Sequence, residues 1–212
     1  MAEAGDAPRL GFAELVSQIA DAARDRPRYV FGLAGPPGSG KSTVAARLAE
    51  ALGAVVVPMD GFHLDNTELD RLGLSGVKGA PETFDVAGFV RLVEQLTHTT
   101  DPVPAPSFDR LADRTIAAAI TVDPDDHIVI VEGNYLLLDR GPWAALRALF
   151  DLVGYIDVDD ATRVERLVAR HVRHGRSLDD AREFVQQSDE ANAAIIAATR
   201  PRADVLVDPS LP

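Results

Sequence analysis

An α/β fold, with a parallel sheet of about five strands covered by helices on both faces, is predicted by three features of this sequence. Short apolar runs alternate with segments of helical spacing along nearly the whole chain. Those runs are β-branched and unbroken, as in strands buried on both faces. A glycine-rich loop joins the first run to a helical segment.

Taken in order, the small polar residues through Pro8 read as a flexible tail, residues 1–8. Phe12, Leu15, Val16 and Ile19 then recur at helical spacing up to about Arg24. Residues 28–34 read as a buried strand, 35–40 as a tight loop, and 41–52 as a helix that Gly53 ends. A second apolar strand occupies 54–59. Residues 60–83, rich in Gly, Asp and Leu, lack periodicity and read as a functional loop region. Val86, Phe89, Val90, Val93 and Leu96 share one helix face, and 102–122 reads as a short antiparallel excursion broken by turns. Strands at 127–131 and 152–158 precede helices at 161–174 and 178–198, and 203–207 supplies a last strand.

With 212 residues the chain is long enough for one domain with a substantial core and short for two, so residues 1–212 are expected to fold as one unit. No apolar run approaches the roughly 18 residues of a membrane span, and the start lacks a basic segment followed by an apolar one. These features lead to the expectation of a cytoplasmic protein without a membrane partner. Cysteine is absent, which excludes disulfides, thiolate metal sites and cysteine nucleophiles. Twenty-one Lys and Arg against 33 Asp and Glu give a formal charge of -12, a field that repels nucleic acid. A small anion such as a nucleotide can still bind, because backbone amides and a few local cations set the field at close range.

Gly35, Pro36, Pro37, Gly38, Ser39, Gly40, Lys41 and Ser42, followed by Thr43, fit G-x-x-x-x-G-K-[ST]. The backbone amides of such a loop wrap phosphates at a helix N-terminus, so this segment is expected to bind ATP. A chance match in a chain this long is on the order of one in a hundred, and its place between a strand and a helix lowers that further. Lys41 is expected to reach the β- and γ-phosphates and the Ser42 hydroxyl to bind Mg²⁺. Glu132 ends the apolar run of residues 128–131, at the strand end where ligands of open α/β sheets gather, and is a second candidate for Mg²⁺. Asp60 ends the strand after the loop helix and is placed to accept a proton from a substrate hydroxyl, with His63 nearby as a substrate contact. Arg163, Arg166, Arg170, Arg173 and Arg176 form a stripe along one helix. Such stripes are usually solvated, but one or two of these arginines are candidates to close over a transferring phosphoryl group.

Taken together, GPPGSGKST, MDGFHLDN, GAPETFD, PSFD, VEGNYLLL and the arginine stripe ending HGRS resemble the family containing uridine kinase, bacterial pantothenate kinase and phosphoribulokinase. Within it, the chain is most similar to a bacterial group described as nucleoside/nucleotide kinase-like or as fructose transport system kinases. The resemblance runs from about Arg28 to Val207. It implies the P-loop NTPase fold with a small lid, ATP and Mg²⁺ as cofactors, and transfer of the γ-phosphate to a hydroxyl of a small metabolite. It further implies that Asp60 is the catalytic aspartate and that Arg166 and Arg170 are lid arginines. Lys78, Phe84, Asp85, Phe108 and Tyr135 fall in segments that contact substrate. Where a uridine kinase has a histidine after its Phe-Asp-Arg segment, this chain has Asp113, which points away from uridine.

Beside a metabolite kinase, the glycine loop admits a P-loop switch or regulatory ATPase and a binding module. A P-loop switch of the GTPase kind reads guanine with Asn-Lys-x-Asp, and the only lysines, Lys41 and Lys78, lie in no such segment. An ABC-type ATPase is opposed by the lack of Leu-Ser-Gly-Gly-Gln. A binding module that has lost catalysis is opposed by the joint presence of Lys41, Ser42, Asp60 and Glu132. For the oligomer, a homodimer is the common form among soluble enzymes.

Overall fold

The computed structural model describes residues 7–99 and 101–210. The expected tail lies mostly outside the described residues. Six strands build one parallel sheet: β1 (Arg9–Leu10), β2 (Tyr29–Ala34), β3 (Val55–Pro58), β6 (Ile128–Gly133), β7 (Leu152–Ile156) and β8 (Val205–Val207). Their spatial order is β1-β8-β7-β2-β6-β3. Five of them correspond to the expected runs. The sixth, β1, has two residues and no pattern of its own; it exists through parallel pairing with β8, and Arg9 anchors it by ion pairs to Asp157 and Asp208.

Alternation along β2 divides the core. Tyr29, Phe31 and Leu33 face one layer with Leu15 and Ile19 of α1 (Phe12–Ala23) and Val44 and Leu48 of α2 (Lys41–Leu52). Val30 and Ala34 face the other, with Phe89 and Val93 of α4 (Val86–His98) and Trp143 from the turn at Gly141–Leu149. Both faces are thus covered, and the central strands are apolar throughout because neither side meets water. The expected end of α2 is observed: Gly53 takes a left-handed conformation and its amide bonds back to the Ala49 carbonyl.

The excursion at 102–122 is a hairpin of β4 (Val103–Asp109) and β5 (Arg114–Val122), antiparallel and outside the main sheet. The aperiodic region 60–83 holds more regular structure than its sequence suggested, including α3 (Asn66–Leu72). Seven residues are too few to display an apolar stripe, but the N-cap is local: the Asp65 carboxylate accepts from the Glu68 amide. The single helix expected at 178–198 is divided into α6 (Leu178–Phe184), a π-helical turn at Val185–Asp189 and α7 (Glu190–Ala197).

Gly61, directly after Asp60, lies against β4. A Cβ there would sit 2.4 Å from the Pro106 carbonyl oxygen, a rigid backbone atom. Gly61→Ala is therefore expected to push the turn off the hairpin at a cost of about 1–3 kcal/mol. A thermal melt showing an unchanged Tm would remove this packing argument.

Candidate active site

The glycine loop leaves the end of β2 and opens α2 at Lys41, with Gly40 as N-cap in a left-handed conformation. The loop is clamped from outside by α5 (Asp160–Arg173): a Cβ on Gly38 would meet the Arg163 carbonyl oxygen and Leu167 Cγ at 2.7 Å each, and φ is +79° there. Only glycine meets both demands. Lys41 is buried, and its ammonium donates to the carbonyls of Gly35 at 2.8 Å and Pro36 at 3.1 Å. Burial pushes this ammonium down to about 8, against the opposing pull of Glu132 and then Asp60.

Sheet order brings the two carboxylates to the loop. β6 lies between β2 and β3, with Glu132 opposite Leu33 on one side and Pro58 on the other. The end of β3 and the turn at Met59–Phe62 therefore deliver Asp60 beside Glu132, across one strand from the loop. The Ser42 hydroxyl donates to Glu132 Oε1 at 3.0 Å. Burial raises the Glu132 carboxyl above its ordinary value, and Lys41 opposes that rise. Asp60 is ion-paired with Arg110 from the tip of the β4–β5 hairpin.

These groups line a cavity of about 760 Å³ at the C-terminal ends of the strands, the ligand position of open α/β sheets. Gly38, Gly40, Ser42 and Thr43 form its floor at one end, and His63, Lys78, Phe84 and Phe108 its wall at the other. Arg166 and Arg170 of α5 overhang it, and Arg166 Nη1 reaches the Ser39 carbonyl at 3.5 Å. Seven lysines and arginines line the cavity against four carboxylates, a local excess of positive charge in a chain of net charge -12. Such an excess suits a polyphosphate.

The profile of the phosphoribulokinase / uridine kinase family matches residues 30–211. A fission-yeast protein (Schizosaccharomyces pombe) named "Putative uridine kinase C227.14" is 34% identical over 95% of this chain and 92% of its own length. The chain belongs to the phosphoribulokinase / uridine kinase family. A pantothenate kinase of Clavibacter sepedonicus is 34% identical over 66% of this chain, which covers only 46% of that protein. A crystal structure of a "putative fructose transport system kinase" from Silicibacter sp. TM1040 superposes with a TM-score of 0.87 at 44% identity, covering 93% of this chain and 98% of that one. The protein is accordingly an ATP-dependent kinase acting on a hydroxyl group of a small molecule. Kinases of this family use ATP and Mg²⁺, and no helix among the described residues is long and apolar enough to cross a membrane.

The kinase brings most of the expected residues to the cavity; Gly35, Pro36 and Ser39 of the loop are not among the residues that line it, and Asp85 and Tyr135 take other positions. The Asp85 carboxylate caps α4, accepting from the Gly88 amide at 2.9 Å, and does not line the cavity. Tyr135 is buried in the core against Phe84 and Trp143, and its hydroxyl donates to the Gly79 carbonyl at 2.6 Å. A buried phenol must find a partner, and this one is committed to holding the loop under Lys78. Phe84 lies between these roles, 5% exposed, with one edge on the cavity and the rest in the core. Within the stripe, Arg163 turns inward to Asp160 and Glu190 at 3.1 and 2.6 Å, while Arg166, Arg170, Arg173 and Arg176 line the cavity.

Several cavity residues were not candidate site residues in the sequence, although Arg110 and Asp113 lie in or just after the Phe-Asp-Arg segment compared with uridine kinases. Arg110 reaches Asp60; Asn66 and Asp113 surround Lys78; Asp189 and Asn192 come from the π-turn and α7. Asp189 accepts from His171 Nε2 of α5 at 2.9 Å, tying the π-turn between α6 and α7 to α5. The local signal nearest to these partners was Asn66, which closes MDGFHLDN.

Proposed function

We propose that Asp60 accepts the proton of the acceptor hydroxyl while Lys41, Arg166 and Arg170 hold the transferring phosphoryl group. The acceptor oxygen bonds to the γ-phosphorus, the bond from that phosphorus to the bridging oxygen of ADP breaks, and the hydroxyl proton passes to the Asp60 carboxylate. The observation that carries this reading is the convergence of Asp60, Glu132 and Lys41 on one cavity, where Asp60 and Glu132 are close enough to shift Lys41. Ser42 and Glu132 fit a magnesium ion: both offer hard oxygen donors, 3.0 Å apart, beside the phosphate loop. No cluster of three or more His, Asp or Glu able to hold a metal occurs among the described residues, as suits a cation that draws its other ligands from phosphate and water. Bound there, Mg²⁺ would neutralise part of the phosphate charge.

His63, Phe84 and Phe108 form an aromatic wall for the acceptor, with ring centroids 4.1 and 4.8 Å from His63 to Phe84 and Phe108. The Asp60 carbonyl lies 2.9 Å from His63 Nδ1 and can only accept, so that nitrogen carries the proton and Nε2 is left as an acceptor. Burial pushes His63 below its ordinary value, which favours this neutral form. A sugar, a pantothenate-like alcohol and a nucleoside all carry the required hydroxyl, and a cytoplasmic setting supplies the ATP. Coupled ATP consumption across those three classes, with the product identified by mass, tests the reading; ATP hydrolysis without a phosphorylated product would count against it.

Uridine is expected to be a poor acceptor. Asp113, at the place of the histidine of uridine kinases, is tied to Lys78 and Asn66, so a nucleoside loses a partner for its polar groups. Uridine turnover comparable with the best compound of the screen would overturn this expectation.

A further inference from the structure

Five of the seven cations of the cavity fall into two sets, and the other two, Arg173 and Arg176, form no salt bridge among the described residues. Lys41, Arg166 and Arg170, at the phosphate-loop end, form no salt bridge with a carboxylate among the described residues; Lys41 and Arg166 donate instead to backbone carbonyls. Lys78 and Arg110, at the acceptor end, are each already matched to a carboxylate: Lys78 to Asp113 and Arg110 to Asp60. Positive charge is thus left unmatched where a polyphosphate belongs and cancelled where the acceptor belongs.

The Lys78 pairing is closed on itself. Its ammonium donates to Asn66 Oδ1 at 2.7 Å and to both Asp113 oxygens at 2.8 Å, and Asn66 Nδ2 donates to Asp113 Oδ2 at 3.0 Å. The same ammonium lies 5.5 Å from the centre of the Phe108 ring. Asp113 is set for this contact by the hairpin tip. It holds a left-handed conformation, φ +50°, and the turn before it is fixed by the Asp109 carboxylate, which accepts from the amides of Leu111 and Ala112. Burial pulls the Asp113 carboxyl upward, but the hydrogen bonds from Lys78 and Asn66 outweigh it and keep the group ionised.

We propose that Asp113 is a specificity determinant: by neutralising Lys78 it makes the acceptor end charge-balanced, so that the kinase takes an uncharged polyhydroxy acceptor and rejects one carrying a carboxylate or phosphate. The inference rests on the transfer reading given above and narrows its acceptor. An anionic acceptor has to displace a chelating carboxylate from Lys78 and then meet Asp113 and Asp60 at close range, a like-charge penalty that acts as discrimination. A neutral polyol meets a matched pair offering donors and acceptors together, with an aromatic wall beside it.

Matched pairs separate the two outcomes: pantothenol and pantothenate, D-ribulose and D-ribulose 5-phosphate, uridine and uridine 3′-monophosphate. Each member offers the same transferable hydroxyl with or without a distant anion. In each pair that reacts, kcat/KM of the wild-type kinase is expected to favour the neutral member by about 10-fold or more. Asp113→Asn preserves shape and tolerates the left-handed backbone. It is expected to raise kcat/KM for the anionic member by about 10-fold or more, and the double variant Asp113→Asn/Lys78→Met to abolish that gain. Calorimetric binding of the same compounds beside a non-hydrolysable ATP analogue reads the same ratio without turnover, so a failed transfer reaction and a failed charge rule are told apart. A wild-type preference for the anionic member, or an Asp113→Asn ratio equal to wild type, overturns the inference.

Discussion

Lys41→Ala is expected to lower phosphoryl transfer by about 10³-fold or more and to weaken ATP binding, since loss of one donor aimed at transition-state charge already costs about 10²–10³. In the free protein the ammonium bonds to the Gly35 and Pro36 carbonyls and stands inside the loop it serves. Its buried position makes the charge costly while the site is empty, which is why burial lowers the group to about 8. A phosphate against it favours the charged form, so above that value binding must take up a proton. ATP affinity is therefore expected to stay level below about pH 8 and to fall as the pH rises further, in wild type but not in Lys41→Ala. Titration calorimetry at a series of pH values checks the slope, and a thermal melt checks that the variant folds. Unchanged turnover in a folded variant would remove the loop from the mechanism.

Much of this site was legible because its parts are encoded locally. The strand, glycine loop and helix at 29–52 occupy consecutive residues, each with its own signal: unbroken apolar run, glycine spacing, Gly53 as terminator. Glu132 was legible as the acid closing an apolar strand. What the sequence withheld is pairing across distance. Strand order places β6 between β2 and β3, and this order brings Glu132 and Asp60 together, yet no single segment encodes it. The same holds for the ion pairs Arg110–Asp60 and Lys78–Asp113, which join residues 50 and 35 positions apart. Asp85 and Tyr135 fell in segments with the right family pattern, but a pattern does not distinguish a side chain aimed into a cavity from one capping a helix or bracing a loop. For β1, two residues carry too little periodicity to register, and their pairing depends on β8 at the far end of the chain.

The sharpest separation between a kinase and a protein that only binds or slowly hydrolyses ATP is expected from Asp60→Asn. Asp60 stands at the end of β3 with its side chain only partly exposed and paired to Arg110, near enough to Lys41 and Glu132 to influence both. If it takes the hydroxyl proton, the amide cannot replace it, and transfer should fall by roughly 10²- to 10⁴-fold, the usual range for general acid–base catalysis. ATP affinity should change little, because the phosphates are proposed to rest on residues 35–42 and Mg²⁺ rather than on this carboxylate. The amide is nearly the size of the carboxylate, so the turn at Met59–Phe62 has no steric reason to move. Arg110 loses its charge partner but is half exposed at the hairpin tip, where water can solvate it. Product formation and nucleotide binding, measured on the same preparation, should therefore part company in this variant alone. Near-normal transfer by Asp60→Asn would leave Asp60 as the salt-bridge partner of Arg110 and nothing more, and the base would have to be sought elsewhere along the cavity wall.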